Sequence, residues 1–391
     1  MAKKRILVIS SFVCYPPNKG NRRRIYNSLR LMRSLGSTVD FLYFSSEKSL
    51  DEKKMKDFLG KEHYFFCKIK KENESIFYKY GNSFPLGRFF PPNRIDVKYS
   101  AEVNKKVNTL LKNHKYDIVW LEYPFQSKIL ENINIPIVKV IDTHDSFAYR
   151  NYKTFPFTHE VVDYSITFYG ERKALRRADF VIAIQEEEGK YFKKLLRGTE
   201  TKVFVIGDSH DIVKNDVVRN HDIVFVGGAN GLNLDAVNWF IDKVFPLVLK
   251  KVKDCRLVVA GNVCGMSGIK RGKNIKLLGP VENMEEVYSS CRVVVNPVRM
   301  GTGLNIKSIE AIAHGKPLVA TSIGAKGLAS KQAVMEVADN NTEFAKKIIC
   351  FLEDDSRCKK YRDNCIQFMN AYNRHNLRMM NKVLCFDKKS K

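Results

Sequence analysis

Residues 293–321 read VVVNPVRMGTGLNIKSIEAIAHGKPLVAT. The stretch begins with an apolar, β-branched run that is typical of a buried strand, and it continues through a glycine turn. Residues 305–314 contain neither glycine nor proline and repeat apolar side chains at helical spacing. Gly315 stands where a helix commonly ends, and Pro317 opens another apolar run. The pattern predicts strand, turn, helix and strand, which is the βαβ unit of a parallel sheet.

The turn before this helix is a predicted anion site. Gly301 and Gly303 let the backbone approach a phosphate, and the first N–H groups of a helix have no partner within it. Lys307 would add a positive charge one turn in, and Glu310 could accept hydrogen bonds from a ribose diol. Together these groups predict a nucleoside-diphosphate site. The alternative is that Lys307 and Glu310 only form a surface ion pair.

The helix is predicted to have two faces. An apolar stripe would face inward, formed by Ile306, Ile309 and Ala313. Lys307, Glu310 and His314 would lie on the other side. His314 directly precedes the glycine at the predicted helix end, so we expect it to have a structural role. Thr302 could likewise be a turn residue that forms a local hydrogen bond.

The same alternation of strands and helices runs through most of the chain. In the first half we predict strands at 5–11, 38–44, 116–123, 135–145, 178–185 and 202–207. In the second half we predict strands at 222–228, 255–262, 275–281, 291–298 and 317–321. A helix is predicted at 233–252. Two doubly wound α/β halves with a cleft between them are the simplest interpretation.

The length of 391 residues also favours two domains. We predict a first domain over 1–207 and a linker over the polar stretch 208–221. A second domain would follow over 222–370.

The chain is strongly basic, with 67 Lys or Arg, 42 Asp or Glu and a formal net charge of +25. Residues 1–35 are the most basic part, with nine Lys or Arg and no acidic residue. Such a surface attracts polyanions, namely nucleic acid, an anionic membrane or phosphorylated substrates. The alternative is a solvated basic surface without a specific partner. No RNA-binding or helix-turn-helix pattern is present, which argues against specific nucleic-acid binding.

Nine cysteines are scattered without metal-binding or disulfide spacing, which favours a reducing cytoplasm. The N-terminal apolar run is too short for a signal peptide and no run is long enough to span a bilayer. Residues 77–95 mix aromatic side chains with Arg88, Arg94 and three prolines. This segment would suit a membrane interface or a lipid-linked acceptor, or it is a long loop that packs on its own domain.

Residues 296–328 resemble the donor-binding segment of glycosyltransferase family 4, whose members are retaining enzymes of the GT-B fold. The segments at 223–248, 257–262 and 275–297 resemble the preceding parts of that domain. Residues 15–36 and 142–188 resemble a bacterial branch that builds surface polysaccharides. Residues 371–384 resemble a closing helix that crosses back onto the first domain, and we expect this helix over 371–388 as part of that domain. The resemblance also implies that the first domain binds the acceptor and that the second domain binds the nucleotide-sugar donor.

The resemblance implies roles for particular residues. Glu310 would hold the donor ribose, Lys307 would neutralise the diphosphate, and His144 would reach the donor sugar. Backbone groups of five residues would approach the donor: Gly20, Gly301, Thr302, Gly303 and Leu304. Gly227 and Gly228 would also belong to the donor site. Asp145 and Arg150 would support His144 in the donor site, or they would only have a structural role in its loop.

Two positions depart from the family pattern. Thr302 stands where the first glutamate of the Glu-seven residues-Glu motif belongs, so that carboxylate is absent. In many relatives, the loop after the first strand of the second domain supplies an Arg and a Lys. In this chain that loop reads GGANGLN and contains neither residue. Arg299 is therefore expected to assist Lys307. No Asp-x-Asp occurs, which argues against the metal-dependent class and predicts no metal or other cofactor.

The sequence thus predicts a retaining, metal-independent glycosyltransferase that uses a nucleoside-diphosphate sugar as donor. The acceptor would be a glycan or a lipid-linked glycan in surface polysaccharide synthesis, and the protein would be cytoplasmic with peripheral contact to an anionic membrane. Two alternatives stay open: a nucleotide-sugar epimerase of the same fold, which would react without an acceptor, and a basic nucleic-acid-binding protein.

Overall fold

The computed structural model describes residues 3–17, 20–70, 95–150, 152, 165–214, 216–301, 303–328 and 331–388. The chain forms two compact units. The first comprises Met1–Ser209 and His375–Lys391, and the second comprises His210–Arg374. Thr302 and most of the aromatic and basic segment 77–95 lie outside the described residues.

The first unit is built on a seven-stranded parallel sheet with the strand order β3-β2-β1-β4-β5-β6-β7. The strands are β1 Arg5–Ser10, β2 Thr38–Ser45, β3 Tyr64–Lys68, β4 Ile118–Glu122, β5 Val138–Asp142, β6 Phe180–Ala183 and β7 Lys202–Val205. Six of the seven were predicted, with ends within three residues or so. The edge strand β3 was not predicted.

Helices cover both faces of this sheet. They are α1 Gly20–Ser34, α2 Glu52–Leu59, α3 Ala101–Asn113, α4 Lys128–Glu131, α5 Phe168–Leu175 and α6 Glu186–Leu195. Alternate residues of β1 enter two different apolar clusters, Ile6 and Val8 on one face and Leu7 and Ile9 on the other. A strand buried on both faces must be apolar throughout, which explains the uninterrupted run in the sequence.

The second unit is built on a six-stranded parallel sheet with the strand order β10-β9-β8-β11-β12-β13. The strands are β8 Asp222–Val226, β9 Arg256–Ala260, β10 Ile275–Gly279, β11 Val293–Asn296, β12 Leu318–Ala320 and β13 Glu336–Val337. The first five were predicted. The two-residue β13 is too short to leave a pattern in the sequence.

One helix of the second unit differs from the prediction. They are α7 Gly231–Trp239, α8 Phe245–Lys251, α9 Met284–Ser290, α10 Ile306–Ala313, α11 Lys331–Val334 and α12 Asn341–Glu353. The predicted helix 233–252 is interrupted by a π-helical turn at Phe240–Val244. Pro246 follows this turn and lacks an N–H group, so a regular α-helical hydrogen bond is lost there.

A long final helix, α13, spans Asp355–Leu384. The sequence contains no glycine or proline between these ends, so one helix replaces the separate closing helix predicted at 371–388. Residues from 375 onward belong to the first unit, where Met380 and Val383 are fully buried. Within the described helices, none is both long and apolar enough to cross a bilayer.

Candidate functional site

The strand order of the second sheet reverses between β8 and β11. In open parallel sheets, the crevice outside the carboxyl ends of the strands at such a reversal is the usual ligand site. The segments 227–230 and 297–305 follow these two strands, and both had been predicted to contact the donor. The topology therefore brings the segments 227–230 and 297–305 to the same edge of the second sheet.

The loop after β8 is held close to the sheet by its backbone. The N–H of Gly227 donates to the carbonyl of Ala260 at 2.9 Å, and the N–H of Val263 donates to the carbonyl of Gly227 at 3.1 Å. A Cβ atom at position 227 would lie 2.9 Å from the ring of Phe225. At Gly228 the nearest such atom is the Nδ2 of Asn233 at 4.0 Å. Glycine is thus required by packing at 227, whereas position 228 has space.

Lys307 connects α10 to this loop. Its Nζ donates to the Oδ1 of Asn233 at 2.6 Å and lies 4.6 Å from the centre of the Phe225 ring. The Nδ2 of the same Asn233 donates to the carbonyl of Gly228 at 2.9 Å. Burial lowers the pKa of Lys307 to about 7, against an opposing effect of Glu310. Among the described residues, the contacts of the Lys307 Nζ at the strand-order reversal are with the neutral Asn233 and Phe225, which suits an incoming anion.

The turn between β11 and α10 has the conformation that its glycines allow. Gly301 has a φ of 144°, and a Cβ there would meet no atom of the described residues within 4 Å. Gly303 is half-buried and Leu304 is buried. The Nδ2 of Asn305 donates to the carbonyl of Ile323 at 2.9 Å, and its side chain does not cap α10. The first N–H groups of α10 therefore have no acceptor in the Asn305 side chain.

Glu310 lies one turn beyond Lys307 and is half-buried. Its Oε2 accepts a hydrogen bond from the hydroxyl of Tyr288 at 3.2 Å. The Nδ1 of His314 is 2.8 Å from the carbonyl of Glu310, and the His314 and Tyr288 rings are 4.6 Å apart. Burial lowers the pKa of His314, so its ring is neutral at physiological pH. As expected, His314 helps to close the helix end, and Gly315 follows with a φ of 63°.

The faces of α10 differ in detail from the prediction. Ile309 and Ala313 are fully buried, but Ile306 is only half-buried. Ser308 is buried instead, where its Oγ accepts a hydrogen bond from the Nδ2 of Asn296 at 2.8 Å. This contact ties the end of β11 to the first turn of α10.

Arg299 pairs with an acidic residue of α7. Its Nη2 and Nε lie 2.6 and 3.2 Å from the carboxylate oxygens of Asp235, and the guanidinium is 5.6 Å from the Trp239 ring centre. The sequence predicted that Arg299 assists Lys307 with the phosphates. A phosphate at this position would have to compete with Asp235 for the guanidinium.

In the first unit, His144 lies beside the end of β4. Its Nε2 is 2.5 Å from the Oε2 of Glu122, while the Oε1 of Glu122 accepts from the Nε1 of Trp120 at 3.1 Å. The His144 ring stacks on Tyr123 with centroids 4.1 Å apart. Burial raises the pKa of Glu122, and His144 opposes this effect.

The backbone around His144 is strained. Tyr123 and His144 have φ values of 67° and 61°, which are rare for residues other than glycine. Such conformations persist where the surroundings impose them, and they concentrate at functional sites. The N–H of Tyr123 donates to the carbonyl of Asp142 at 2.9 Å, which fixes the two loops against each other.

Helix α1 is joined to the same sheet edge. Gly20 is the exposed first residue of α1, and Arg24, one turn later, bonds to Asp142 at 3.0 Å and to the carbonyl of Gly207 at 2.5 Å. Glu122, Asp142 and His144 place possible metal-ligand atoms within 4.8 Å of one another, the one such group among the described residues. Since Arg24 already neutralises Asp142, this group is better described as a hydrogen-bonded ion network.

Asp145 and Arg150, which were predicted to support the loop of His144, form an ion pair. The Nη2 of Arg150 is 3.2 Å from the Oδ2 of Asp145, whose Oδ1 accepts from the N–H of Ser146 at 2.8 Å. The Arg150 guanidinium is 5.6 Å from the centre of the Phe147 ring. Both residues shape the loop that follows His144 from within the first unit.

Several residues of these arrangements were not predicted from the sequence, among them Phe225, Asn233, Tyr288, Asp235 and Glu122. Asn233 stands in the quoted loop segment GGANGLN, and a side-chain amide near a glycine loop is the signal that could have identified it. Glu122 is a carboxylate at the end of an apolar strand, and its place at a strand end is the signal that could have identified it. Phe225 and Tyr288 look like ordinary core residues in the sequence.

Comparison with known proteins agrees with this architecture. Residues 220–354 match the family model described as "Glycosyl transferases group 1". A 44.6 kDa protein in the cps region of Klebsiella pneumoniae is 25% identical over 399 aligned positions, covering 93% of this chain and 95% of that protein.

Solved structures share the fold across nearly the whole chain. Staphylococcus aureus TarM, as a variant in complex with fondaparinux, α-GlcNAc-glycerol and UDP, aligns with 97% of this chain and 100% of its own, at 13% identity and a TM-score of 0.66. The pneumococcal O-GlcNAc transferase GtfA, in complex with UDP and GlcNAc, covers 99% and 100% at 11% identity and 0.68. Anabaena HepE, in complex with UDP and glucose, covers 98% and 100% at 14% identity and 0.62. The chain therefore has the GT-B fold, with two parallel-sheet α/β domains.

Proposed function

We propose that this protein is a retaining glycosyltransferase that moves a sugar from a nucleoside-diphosphate sugar to a glycan or lipid-linked acceptor during surface polysaccharide synthesis. The observation that supports it best is the arrangement around Lys307. This lysine reaches the Gly228 loop through Asn233, at the strand-order reversal of the second sheet. Glu310 follows one helical turn later. The match of residues 220–354 to a glycosyltransferase family supports the same proposal.

In the proposed mechanism, α10 and Lys307 bind the diphosphate. The backbone N–H groups at the start of α10 direct their positive ends toward it, and the ammonium group adds a full charge. Glu310 accepts hydrogen bonds from the ribose, with Tyr288 holding one of its oxygens at 3.2 Å. These groups stabilise the negative charge that grows on the leaving diphosphate. No metal ion is required for this neutralisation.

The transfer itself breaks the bond between the sugar's anomeric carbon and the diphosphate oxygen. A bond forms between that carbon and the acceptor oxygen on the same face, and the acceptor's hydroxyl proton leaves with the nucleoside diphosphate. His144 contacts the donor sugar. Glu122 and Tyr123 hold the imidazole ring of His144 in place. The reaction takes place in the cytoplasm, at the inner face of the plasma membrane, where the basic surface of the chain attracts anionic lipids.

The Klebsiella relative supports the biological setting. It is a protein of the cps region, and the alignment covers almost the whole of both chains. We therefore place the reaction in the assembly of a capsule-like surface polysaccharide.

Calorimetric titration with the diphosphates of uridine, guanosine and adenosine tests the donor site. One of them should bind, and Lys307→Ala should weaken it about 10- to 100-fold, as expected for loss of a charge-assisted hydrogen bond of roughly 1.5–3 kcal/mol. Lys346→Ala, which removes an exposed lysine from α12, serves as the matched control and should bind normally. If no nucleoside diphosphate binds to the wild type, the proposal is wrong.

A nucleotide-sugar epimerase is the second candidate, because it could use the pairing of His144 with the buried Glu122 for acid–base chemistry. The two enzymes differ in their need for an acceptor. Incubating the protein with the nucleotide sugar alone and following the sugar by NMR separates them. Rapid epimerisation without any acceptor would favour the second candidate.

A further inference from the structure

The amino ends of two neighbouring strands in the second sheet are rich in positive charge. Residues 250–276 contain eight Lys or Arg and one acidic residue, Asp254, which lies 2.8 Å from the Nδ1 of His221. This stretch runs from the end of α8 through β9 to β10, an edge strand of the sheet. The N–H of Leu257 donates to the carbonyl of Asn274 at 2.8 Å, so the segments before β9 and before β10 lie side by side.

Most of these cations have no acidic neighbour. Arg256 pairs with Asp222 at 2.8 Å, and Lys270 pairs with Asp242. The other six are exposed, and no carboxylate of the described residues forms an ion pair with them. We call these six the basic cluster: Lys250, Lys251, Lys253, Arg271, Lys273 and Lys276. Like charges gathered at one end of a sheet repel one another, and a polyanion bound there would relieve that repulsion.

The face of β10 beside the basic cluster is open to solvent. Ile275 and Leu277 pack against the core of the second unit. Lys276 and Leu278 alternate with them, so their side chains leave the opposite face of the sheet. Leu278 is 37% exposed, and Val258, which is aligned with Lys276 in β9, is half-buried. An apolar strip therefore adjoins the cations.

The backbone of β10 is that of an edge strand. β9 is its neighbour on one side, and no described strand lies on the other. Because the carbonyl of Asn274 is bonded to β9, the alternation along a parallel strand turns the N–H and C=O groups of Leu277 away from β9. Groups at such an edge can form hydrogen bonds to an added strand.

These three features together favour a peptide over other polyanions. An anionic lipid surface or a nucleic acid would use the charges alone. Residues 250–279 contain no aromatic side chain that could enter a membrane interface or stack on a base. An extended peptide can pair with the strand edge, and its alternate side chains then lie over Lys276 and Leu278.

We propose that the basic cluster and β10 form a docking surface for an acidic, extended segment of a partner protein. The segment adds to β10 as a further strand. Its carboxylates meet Lys273 and Lys276, and an apolar side chain covers Leu278. The groups predicted to bind the donor follow the carboxyl ends of β8 and β11, whereas the basic cluster lies at the amino ends of β9 and β10. A bound partner would therefore leave the donor groups accessible.

Fluorescence anisotropy of the full-length chain with labelled peptides tests the surface. The probe is a short peptide of alternating glutamate and valine. One control has the same sequence with N-methyl groups on alternate residues, and a second control alternates lysine and valine. The acidic peptide should bind, and the N-methylated form should bind about tenfold more weakly, because it cannot form the strand hydrogen bonds. The lysine peptide should not bind.

Charge-reversal variants locate the binding site. Lys273→Glu and Lys276→Glu should each weaken binding of the acidic peptide about three- to tenfold, as expected for exposed charge pairs. Lys105→Glu changes an exposed lysine of α3 in the first unit, alters the net charge equally and should bind normally. Nucleoside-diphosphate titrations should be unchanged in all three variants, so failure of this surface is separate from failure of the donor site.

Hydrogen exchange provides a readout that needs no variant. The amides of residues 275–279 should exchange more slowly when the acidic peptide is bound. No binding of that peptide would mean that the lysines only protect an edge strand from aggregation, and the proposal would be wrong. Equal binding of the N-methylated peptide, or an equal loss in Lys105→Glu, would also overturn it.

Vesicles that contain phosphatidylglycerol and a single-stranded oligonucleotide are tested with the same variants. Tighter binding of either one than of the acidic peptide, lost in Lys273→Glu, would assign the basic cluster to a lipid surface or to nucleic acid. That result would overturn the proposal of a protein partner.

Discussion

The Nζ of Lys307 donates a hydrogen bond of 2.6 Å to the Oδ1 of Asn233. The amide that accepts this proton also holds the carbonyl of Gly228 through its nitrogen. One side chain therefore links the cation of α10 to the glycine loop after β8. An anion bound to Lys307 would thus be connected to the glycine loop through the side chain of Asn233.

The first prediction concerns pH. Lys307 has a pKa of about 7, and a bound diphosphate would favour the charged ammonium and raise that value. Nucleotide binding should therefore take up a proton above pH 7, and the affinity should fall by up to about tenfold for each pH unit. Calorimetry in two buffers of different ionisation enthalpy, between about pH 7 and pH 9, measures both effects.

Lys307→Arg is the control for this prediction. Arginine stays protonated over the whole range, so the variant should bind the nucleotide without the pH dependence. If wild-type affinity is flat across the range, Lys307 is either fully charged before binding or not in contact with the phosphates.

A second prediction compares adjacent glycines. Gly227→Ala would place a Cβ 2.9 Å from the Phe225 ring, on which Lys307 packs, and should cost about 1–3 kcal/mol of unfolding free energy. Gly228→Ala meets nothing closer than 4.0 Å and should change stability by less than about 0.5 kcal/mol. Urea unfolding followed by Trp239 fluorescence, in a Trp120→Phe background, reports on the second unit. Equal stability of the two variants would mean that the Phe225 ring moves away from a Cβ at position 227 at little energetic cost.

A third prediction concerns the strained backbone at Tyr123. Its φ of 67° with a ψ of 150° lies in a region that almost only glycine occupies. Alanine is normally more favourable than glycine in regular structure, yet here Tyr123→Gly should be more stable than Tyr123→Ala by about 1 kcal/mol or more. Trp120 fluorescence in a Trp239→Phe background measures unfolding of the first unit. The reverse order would show that the chain relaxes around this residue at little cost.

A fourth prediction tests the expected role of Arg299. Asp235 holds its guanidinium through two short contacts, although both side chains are partly exposed and the pair contributes little to stability. If Arg299 binds a phosphate, Asp235→Ala should increase nucleotide affinity several-fold and Arg299→Ala should decrease it. Unchanged nucleotide affinity in both variants would mean that Arg299 does not belong to the donor site. The melting temperatures of both variants should stay close to that of the wild type.

The sequence predicted local features better than distant contacts. The helix carrying Lys307 and Glu310 was found because its glycines, charges and apolar residues lie within a few positions of one another. The contact of Lys307 with Asn233 joins residues 74 positions apart, and no local pattern specifies such a pair. The pairing of Arg299 with Asp235 joins residues 64 positions apart and was missed for the same reason.

Strands were predicted where burial on both faces demands continuous apolar runs, as in β1 and β4. Two edge strands, β3 and β13, were not predicted, although the other edge strands, β7 and β10, were. The strand β13 has only two residues, which is too short for a recognisable pattern. His144 was predicted from the family resemblance, but its stacking on Tyr123 depends on two left-handed backbone conformations. Such conformations are imposed by tertiary contacts and leave no sequence pattern.

Helix α13 has a consequence for how the protein is made. The core of the first unit includes Met380, Val383 and Leu384, and Asn376 accepts a hydrogen bond from the N–H of Gly207 at 2.9 Å. A ribosome synthesises these residues after the whole of the second unit. The domain that is translated first is therefore completed last, and a nascent chain must keep an unfinished apolar surface covered until its final helix emerges.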